Sequence, residues 1–386
     1  MSNPRHTLAT APSNRDDAQV EIDWKGIASS ARAISGGQGE NILLLVTDSP
    51  VELERLNELI PNEDGEFPAN GKWFAGPGGW LLLIEARSVP VKPRLEELAQ
   101  ALHRAGIAGT LTGAKPFRRP AWSRPIENLP RWRALLNYRQ LPQYGPYDGP
   151  GWTCGTELLE RVVDHMIDWA TTDEAQLTVS INLKARFPFD QPTAKAVLRR
   201  EAETQSVASA TAYNKTDNQL RGLKISTPGR TQMSVVPAQQ EWVPIIDNLR
   251  TAMRTAPLDQ LSIAMIHHHG DFLHTERPDY DHHVYRSHPE LWDTYTPEPC
   301  GIQILTDKHL AKANNLDDWN TTRLNEHLYL VQAKDLSPWY SQPLSYYDTP
   351  EIETTTKARA DFGDMVFTHN TATQLGITRP PRNTQQ

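Results

Sequence analysis

The sequence predicts an α+β fold of two consecutive split-βαβ (ferredoxin-like) two-layer modules, joined by a Pro-rich connector and followed by a small α/β C-terminal extension. Short apolar runs of strand length alternate with amphipathic helical patterns, and the order β-α-β-β-α-β occurs once before the connector and again after it. The expected domains are a disordered N-terminus (1–20), a first module (21–114), a connector (115–151), a second module (152–299) and the extension (300–386).

The first module is preceded by a predicted helix that starts at Trp24 and ends at Gly36. The run "NILLLVT" is typical of a buried strand, and "DSPVELERLNELI" has an N-cap, a proline in the first turn and one apolar face. The turn "GPGG" then joins two predicted strands, "GKWFA" and "GWLLLIEAR". The helix "PRLEELAQALHRAG" and the strand "IAGTLTG" complete the module.

The connector differs from the rest of the chain in composition. Residues 115–150 contain seven prolines, seven Lys or Arg and two acidic residues, with aromatic side chains interleaved. Arginines beside aromatic rings predict nucleic-acid binding through residues 115–139 as one alternative. The favoured interpretation is structural, because a stacking platform normally lies on a strand surface and not on a Pro-rich segment.

The second module repeats the order of the first. A helix "TELLERVVDHMIDWATT" is followed by a strand "QLTVSINLKARF", a helix "PTAKAVLRREAET" and a hairpin or meander formed by "SVASATAY", "QLRGLKIS" and "TQMSVV". The helix "EWVPIIDNLRTAMRTA" and the strand "LDQLSIAMIH" follow. From Cys300 the pattern is β-α-β, which indicates either a small appended layer or an extension of the second sheet.

Charge and cysteine content limit the classes of partner. The chain has a net charge of −8, and because the connector carries +5 the remainder carries −13. This distribution makes nucleic acid an unfavoured partner and favours a basic protein. Cys154 and Cys300 form no C-x-x-C pair, which excludes a thiolate zinc site and is typical of a reducing compartment. No signal peptide or membrane span is visible, so a cytoplasmic protein without membrane contact is expected.

Seven of the thirteen histidines lie within residues 265–290. His267, His269, Asp271 and His274 follow a predicted strand, and imidazole with carboxylate suits zinc or iron. The same stretch also fits a proton-sensitive surface or an ordered polar loop that covers a sheet edge, and the polar loop is the favoured interpretation.

The spacing His267-x-His269-x-Asp271 resembles the first part of the H-x-H-x-D-H motif of metallo-β-lactamase-like hydrolases, which also follows a buried strand. The resemblance implies a metal-dependent hydrolase. It covers five residues and departs from the motif at Phe272, where the family has a histidine, so the chain is not assigned to that family.

No complete catalytic constellation is present, and the sequence therefore favours a non-enzymatic protein-binding function over an enzyme. An immunity-type or defence-associated factor that acts on a basic protein is the leading hypothesis. The alternatives are the metal-dependent hydrolase and nucleic-acid binding. Trp73 and Trp80 flank the Gly-rich turn, and they are interpreted either as partner-binding anchors or as core residues.

Overall fold

The computed structural model describes residues 19–35, 40–59, 73–76, 78–85, 91–125, 131–144, 151–172, 174–181, 185–236, 241–268, 285, 288–341 and 352–377. The chain divides into two units, Met1–Pro116 and Phe117–Gln386, here called the N-terminal unit and the C-terminal unit. Both combine helices with a β-sheet, which confirms the predicted α+β class. No helix among the described residues is both long enough and apolar enough to cross a bilayer.

The N-terminal unit contains a five-stranded sheet. Its elements are β1 (Val20–Ile22), α1 (Trp24–Ser35), β2 (Glu40–Thr47), α2 (Leu53–Asn57), β3 (Trp73–Gly76), β4 (Gly79–Glu85), α3 (Val91–Arg104) and β5 (Gly109–Gly113). The strand order is β1-β5-β2-β4-β3; β1 pairs parallel with β5 and every other pair is antiparallel. The predicted strands are all present, but α2 is much shorter than its pattern suggested. Strand β1 lies partly in the segment that was expected to be disordered.

The core of the N-terminal unit follows the helical periodicity of α3. Leu95, Leu98 and Leu102 recur at a spacing of three and four residues, so they lie on one face of the helix, and each is at most 1% exposed. They join the same buried cluster as Leu43 and Leu82 from the sheet. Full burial of one such side chain stabilises the fold by about 2 kcal/mol.

The C-terminal unit contains one ten-stranded sheet. Its strands are β6 (Trp132–Tyr138), β7 (Gln176–Ile181), β8 (Ala185–Pro188), β9 (Val207–Asn214), β10 (Gln219–Ser226), β11 (Arg230–Val236), β12 (Leu261–His268), β13 (Ile302–Thr306), β14 (Trp319–Arg323) and β15 (Leu328–Ala333). Its helices are α4 (Thr156–Ala170), α5 (Gln191–Thr204), α6 (Trp242–Thr255), α7 (Asp307–Leu310), α8 (Ser337–Tyr340), α9 (Ile352–Phe362) and α10 (His369–Gln374). The strand order is β14-β15-β13-β12-β6-β11-β10-β9-β7-β8, with antiparallel neighbours throughout.

This sheet differs from the predicted second module. Residues 152–299 do not form a sheet of their own, because their strands share one sheet with β6 from the expected connector and with β13 to β15 from the expected extension. Local patterns identify strands, but they carry no information on how many distant strands pair with them. Of the two interpretations of the extension, the structure corresponds to an extension of the sheet.

The connector contributes the central strand β6, which pairs with β11 on one side and β12 on the other. Trp132, Ala134, Leu136 and Tyr138 alternate along it, and each is at most 2% exposed. This period of two is the pattern of a buried strand, and no proline interrupts it. The boundary between the two units lies after Pro116, two residues into the segment that was expected to link two domains, and the rest of that segment belongs to the C-terminal unit.

The two faces of the large sheet differ in polarity. One row across the strands consists of Ala134, Met233, Leu223 and Ala210, which lie opposite one another in register. Helices α4, α5 and α6 contact the strands and bury this apolar face. The polar face carries the residues at the alternate positions, as the pleat requires. One row of the polar face runs through His267, Arg133, Ser234, Gly222 and Thr211.

Candidate functional site

The two candidate partner anchors belong to the N-terminal unit. Trp73 lies on β3, is fully buried and is part of the main core cluster of this unit. Trp80 lies on β4, is partly buried and packs against the same cluster. The burial of Trp73 agrees with the core interpretation, because a buried ring offers no surface to a partner, whereas Trp80 stays partly exposed.

His267 is the one candidate metal ligand whose position the structure describes. It lies on β12, is 6% exposed, and is opposite Arg133 on the polar face. A guanidinium on the neighbouring strand disfavours a second cation at this imidazole. His269, Asp271 and His274 lie outside the described residues, so the metal site remains a prediction. Within the described part of the chain, no three His, Cys, Asp or Glu side chains are placed to hold a metal ion.

Both cysteines are buried free thiols. Burial raises the pKa of Cys154 to about 12 and raises the pKa of Cys300 well above its usual value. A thiol acts as a nucleophile through its thiolate, which neither cysteine forms near neutral pH. These positions therefore serve packing.

A hydroxyl and an imidazole meet at the start of α7, but their hydrogen bonds are those of a helix cap. The Thr306 hydroxyl donates to the carbonyl oxygen of Asp293 at 2.6 Å, and His309 Nδ1 accepts from the Thr306 N–H at 3.1 Å. Burial lowers the pKa of His309 to about 4. The Thr306 hydroxyl also lies 2.9 Å from His309 Nδ1, but its bonds to the Asp293 carbonyl oxygen and the His309 N–H are those of the helix cap, so the pair is not arranged as an activated nucleophile.

The cavity next to this cap is mixed in charge. It has a volume of about 470 Å³ and is lined by the basic residues Arg139 and Lys308 together with several carboxylates. The Asp293 carboxylate, 13% exposed, lies 2.9 Å from Arg139 and 3.7 Å from Lys308. Its charge is compensated within the fold, which leaves this carboxylate little capacity to attract a ligand.

A second cavity, the arginine pocket, lies at the β8 to β11 end of the polar face and has a volume of about 220 Å³. Its lining residues are Arg119, Arg131, Arg186, Thr211, Tyr213, Leu220, Gly222, Ser234 and Val236. Of the described residues that line it, three are arginines and none is acidic. Residues 117–123 cover one end, where Phe117 and Trp122 pack on Tyr213, Leu220 and Val236.

Hydrogen bonds fix Arg186 within the arginine pocket. Arg186 Nη1 donates to Thr211 Oγ1 at 3.1 Å and lies 3.4 Å from Tyr213 Oη, which also accepts. The backbone of Arg186 is held as well, because its carbonyl oxygen accepts from the Phe117 N–H at 2.6 Å. Both hydroxyl groups act as acceptors toward the guanidinium, so their own hydrogens remain donors.

Strand β14 forms the opposite edge of the sheet and pairs only with β15 among the described residues. Asp318 accepts from Lys334, and Leu324 donates to Leu328, so even-numbered positions of this strand face β15. In an antiparallel pair the hydrogen-bonding direction alternates, and the N–H and C=O groups of Thr321 and Arg323 therefore point away from the sheet. Residues 320 to 323 are exposed.

A third cavity, the acidic pocket, lies at the start of β14 and has a volume of about 390 Å³. The buried rings of Trp319 and Trp339 line it, with their centroids 6.0 Å apart. Its charged lining residues are Asp318, Asp335, Glu353, Asp361, Lys334 and Lys357. The Lys357 ammonium pairs with Asp318 and lowers the pKa of that carboxyl. Among the described side chains, no basic group lies within 4.0 Å of Asp335 or Glu353.

Local sequence patterns contain no direct signal for either pocket. Arg186 and Thr211 become neighbours through β7, which pairs with both of their strands, and nothing in the local pattern predicts that pairing. Comparison with protein-family models gives no match for this chain, and comparison with curated proteins gives no significant similarity. The function is therefore argued from the geometry of the C-terminal unit.

Proposed function

We propose that this chain is a non-enzymatic binding protein that holds a basic segment of a partner protein in extended conformation along β14. An immunity-type or defence-associated role, in which a basic protein is captured and neutralised, is the functional class that fits best. The observation that carries the proposal is the outward-facing edge of β14 beside the acidic pocket.

The exposed edge offers main-chain hydrogen bonds. A strand that adds to β14 gains bonds from the backbone groups of Thr321 and Arg323, in the manner of β-augmentation. Natural edge strands are usually blocked by a proline, a bulge or a covering element. Strand β8, at the opposite edge, ends in Pro188, whereas β14 contains no proline.

The acidic pocket supplies the charge preference. Trp319 belongs both to β14 and to the lining of the pocket, so a side chain of an added strand is brought directly to it. Asp335 and Glu353 are available to pair with a lysine or arginine, and the tryptophan rings favour the aliphatic stem and the charge of such a side chain. The net charge of −8 adds long-range attraction for a basic partner.

We also propose a ferredoxin-like arrangement for the N-terminal unit and a cytoplasmic location for the protein. The order β5-β2-β4-β3 supports a ferredoxin-like arrangement for the N-terminal unit, in which the predicted strands have the order 4-1-3-2. Two buried free thiols support a protein that works in the reducing cytoplasm.

The substitution Thr321→Pro tests the edge. Proline removes the outward N–H of residue 321 without removing a bond to β15, and edge strands tolerate proline. Wild-type protein and the variants are immobilised, incubated with lysate from the source cells, and the retained proteins are identified and quantified. We expect one basic protein whose retention falls about tenfold or more in Thr321→Pro, because main-chain hydrogen bonds are lost.

Thr321→Val is the matched control, since it keeps the backbone donor and favours a strand. It should retain the partner as wild type does, and Glu353→Gln should weaken retention in a salt-dependent manner. A partner that is retained equally by Thr321→Pro and Thr321→Val, or the absence of any protein that separates the two variants, contradicts the proposal.

A further inference from the structure

The arginine pocket brings three arginine side chains together at one end of the polar face. Arg119 and Arg131 come from the segment before β6, and Arg186 comes from β8. In the part of the chain that the structure describes, no carboxylate lies within 4.0 Å of Arg186. The Arg186 guanidinium is therefore held by hydroxyl groups and not by a carboxylate, and its positive charge favours the entry of an anion into the cavity.

The chemistry of the lining is that of an oxyanion site. A guanidinium presents its N–H groups as a planar fork that matches two oxygens of a phosphate or carboxylate. The hydroxyls of Thr211 and Tyr213 accept from Arg186, so each retains a hydrogen that can be donated to an anion. Hydrogen bonds thus hold the guanidinium in place before any ligand binds, which lowers the entropy loss on binding.

Gly222 keeps the floor of the pocket open. It lies in register between Thr211 and Ser234. A Cβ atom at this position would lie 2.6 Å from Ser234 Oγ, so a side chain would displace the hydroxyl and enter the space above the strand. The Ser234 hydroxyl donates to the Gly222 carbonyl oxygen at 3.2 Å, so its hydrogen is used within the fold and it is not one of the donors to the anion.

Size and charge select the ligand. A volume of about 220 Å³ is smaller than the roughly 300–1,000 Å³ of sites for drug-sized molecules, so the pocket accepts one small group. The Arg186 guanidinium and the hydroxyls of Thr211 and Tyr213 offer more donors than the two oxygens of a carboxylate can accept, and the additional oxygens of a phosphate match them. We infer that the arginine pocket binds a dianionic phosphate group, either inorganic phosphate or the phosphate of a small phosphomonoester.

Isothermal titration calorimetry of the full chain tests the site, with inorganic phosphate, ribose 5-phosphate and acetate as separate titrants at constant ionic strength. We expect saturable binding of one phosphate group per chain and no saturable binding of acetate. The variant Arg186→Gln should weaken phosphate binding by about tenfold or more, since hydrogen bonds to a charged partner are lost. Stronger binding of ribose 5-phosphate than of phosphate identifies a phosphomonoester as the ligand, and equal binding identifies phosphate itself.

Arg254→Gln is the matched control, because it removes one exposed positive charge near the end of α6, outside the pocket lining. An equal loss of affinity in Arg186→Gln and Arg254→Gln overturns the inference, since it shows only a general charge effect. The inference also fails if neither phosphate titrant saturates, or if a single-stranded oligonucleotide lacking a terminal phosphate binds and phosphate does not compete. If Arg186→Gln does not fold, Tyr213→Phe, which removes one hydroxyl of the pocket and keeps the ring, gives the same decision.

Discussion

The protonation of His309 is strongly coupled to folding. It is fully buried in the cap of α7, and burial lowers its pKa to about 4 from an unfolded value near 6.5. Its stabilising effect is complete above pH 6.5 and is lost as the pH falls from 6.5 toward 4, because only the unfolded chain binds the proton in that interval. The difference corresponds to about 3 kcal/mol of unfolding free energy.

His309→Asn tests this coupling, because the asparagine oxygen can accept from the Thr306 N–H in place of Nδ1 while the side chain does not titrate. The free energy of unfolding in urea is measured for both proteins from pH 7 to pH 4. The wild type should lose about 3 kcal/mol more than the variant over this range. Parallel curves would contradict the coupling.

The environment of a residue could be predicted from the sequence where it depends on residues nearby in the chain. It could not be predicted where it depends on residues far apart in the chain. The strand that ends at His267 follows from the run "LSIAMI", and it is present as β12. The proximity of Arg133 to this histidine could not be predicted, because 134 positions separate the two residues and only strand pairing joins them. The same reason explains why Arg186 was not recognised as a site residue.

At the scale of elements, α5 shows a helix start that the sequence encodes almost completely. Asp190 is the N-cap, its Oδ1 accepts from the Thr193 N–H at 2.8 Å, and Pro192 lies in the first turn. These bonds lower the pKa of the Asp190 carboxyl, so the stabilisation they provide is present above the unfolded pKa and is lost as the pH falls through the folded value.

Asp190→Ala should lower the free energy of unfolding by about 1 kcal/mol at pH 7, because the first turn loses its cap. Urea unfolding followed by tryptophan fluorescence measures the change. Asp190→Asn is the control that keeps an acceptor oxygen, and it should stay within a few tenths of a kcal/mol of wild type. An equal loss in both variants would show that the carboxylate charge, not the cap geometry, stabilises α5.

Elements whose apolar residues recur with a clear helix or strand period were predicted well. Elements whose period is weak, or is surrounded by residues typical of loops, were not. Helices α3, α4, α5 and α6 lie where their apolar faces indicated. Strand β6 was overlooked because prolines and arginines surround it, although Trp132, Ala134 and Leu136 alternate within it. Composition described the segment, but the period of two determined its structure.

At the scale of the whole molecule, the ten-stranded sheet makes the C-terminal unit depend on contacts between distant parts of the sequence. Strand β6 lies between β12 and β11, so it connects the half of the sheet that contains β13 to β15 with the half that contains β7 to β10. Its side chains on the apolar face are buried under the helices, including α6. The sheet is therefore continuous only when β6 is present.

This dependence predicts how fragments of the chain behave. A fragment of residues 117–386 keeps all ten strands and should unfold cooperatively in urea with native-like far-UV circular dichroism. A fragment of residues 152–386 begins at the domain boundary expected from composition, and it lacks β6. It should show no cooperative transition, because β11 and β12 each lose a neighbouring strand and the apolar face loses buried area.

The control is a synthetic peptide of residues 131–144 added to the shorter fragment. We expect it to restore part of the cooperative transition, whereas a peptide in which Trp132 and Leu136 are replaced by aspartate should not, because charged side chains cannot be buried on the apolar face. Cooperative unfolding of residues 152–386 alone would contradict the central role of β6 and would place the folding boundary at residue 152, where the amino-acid composition changes.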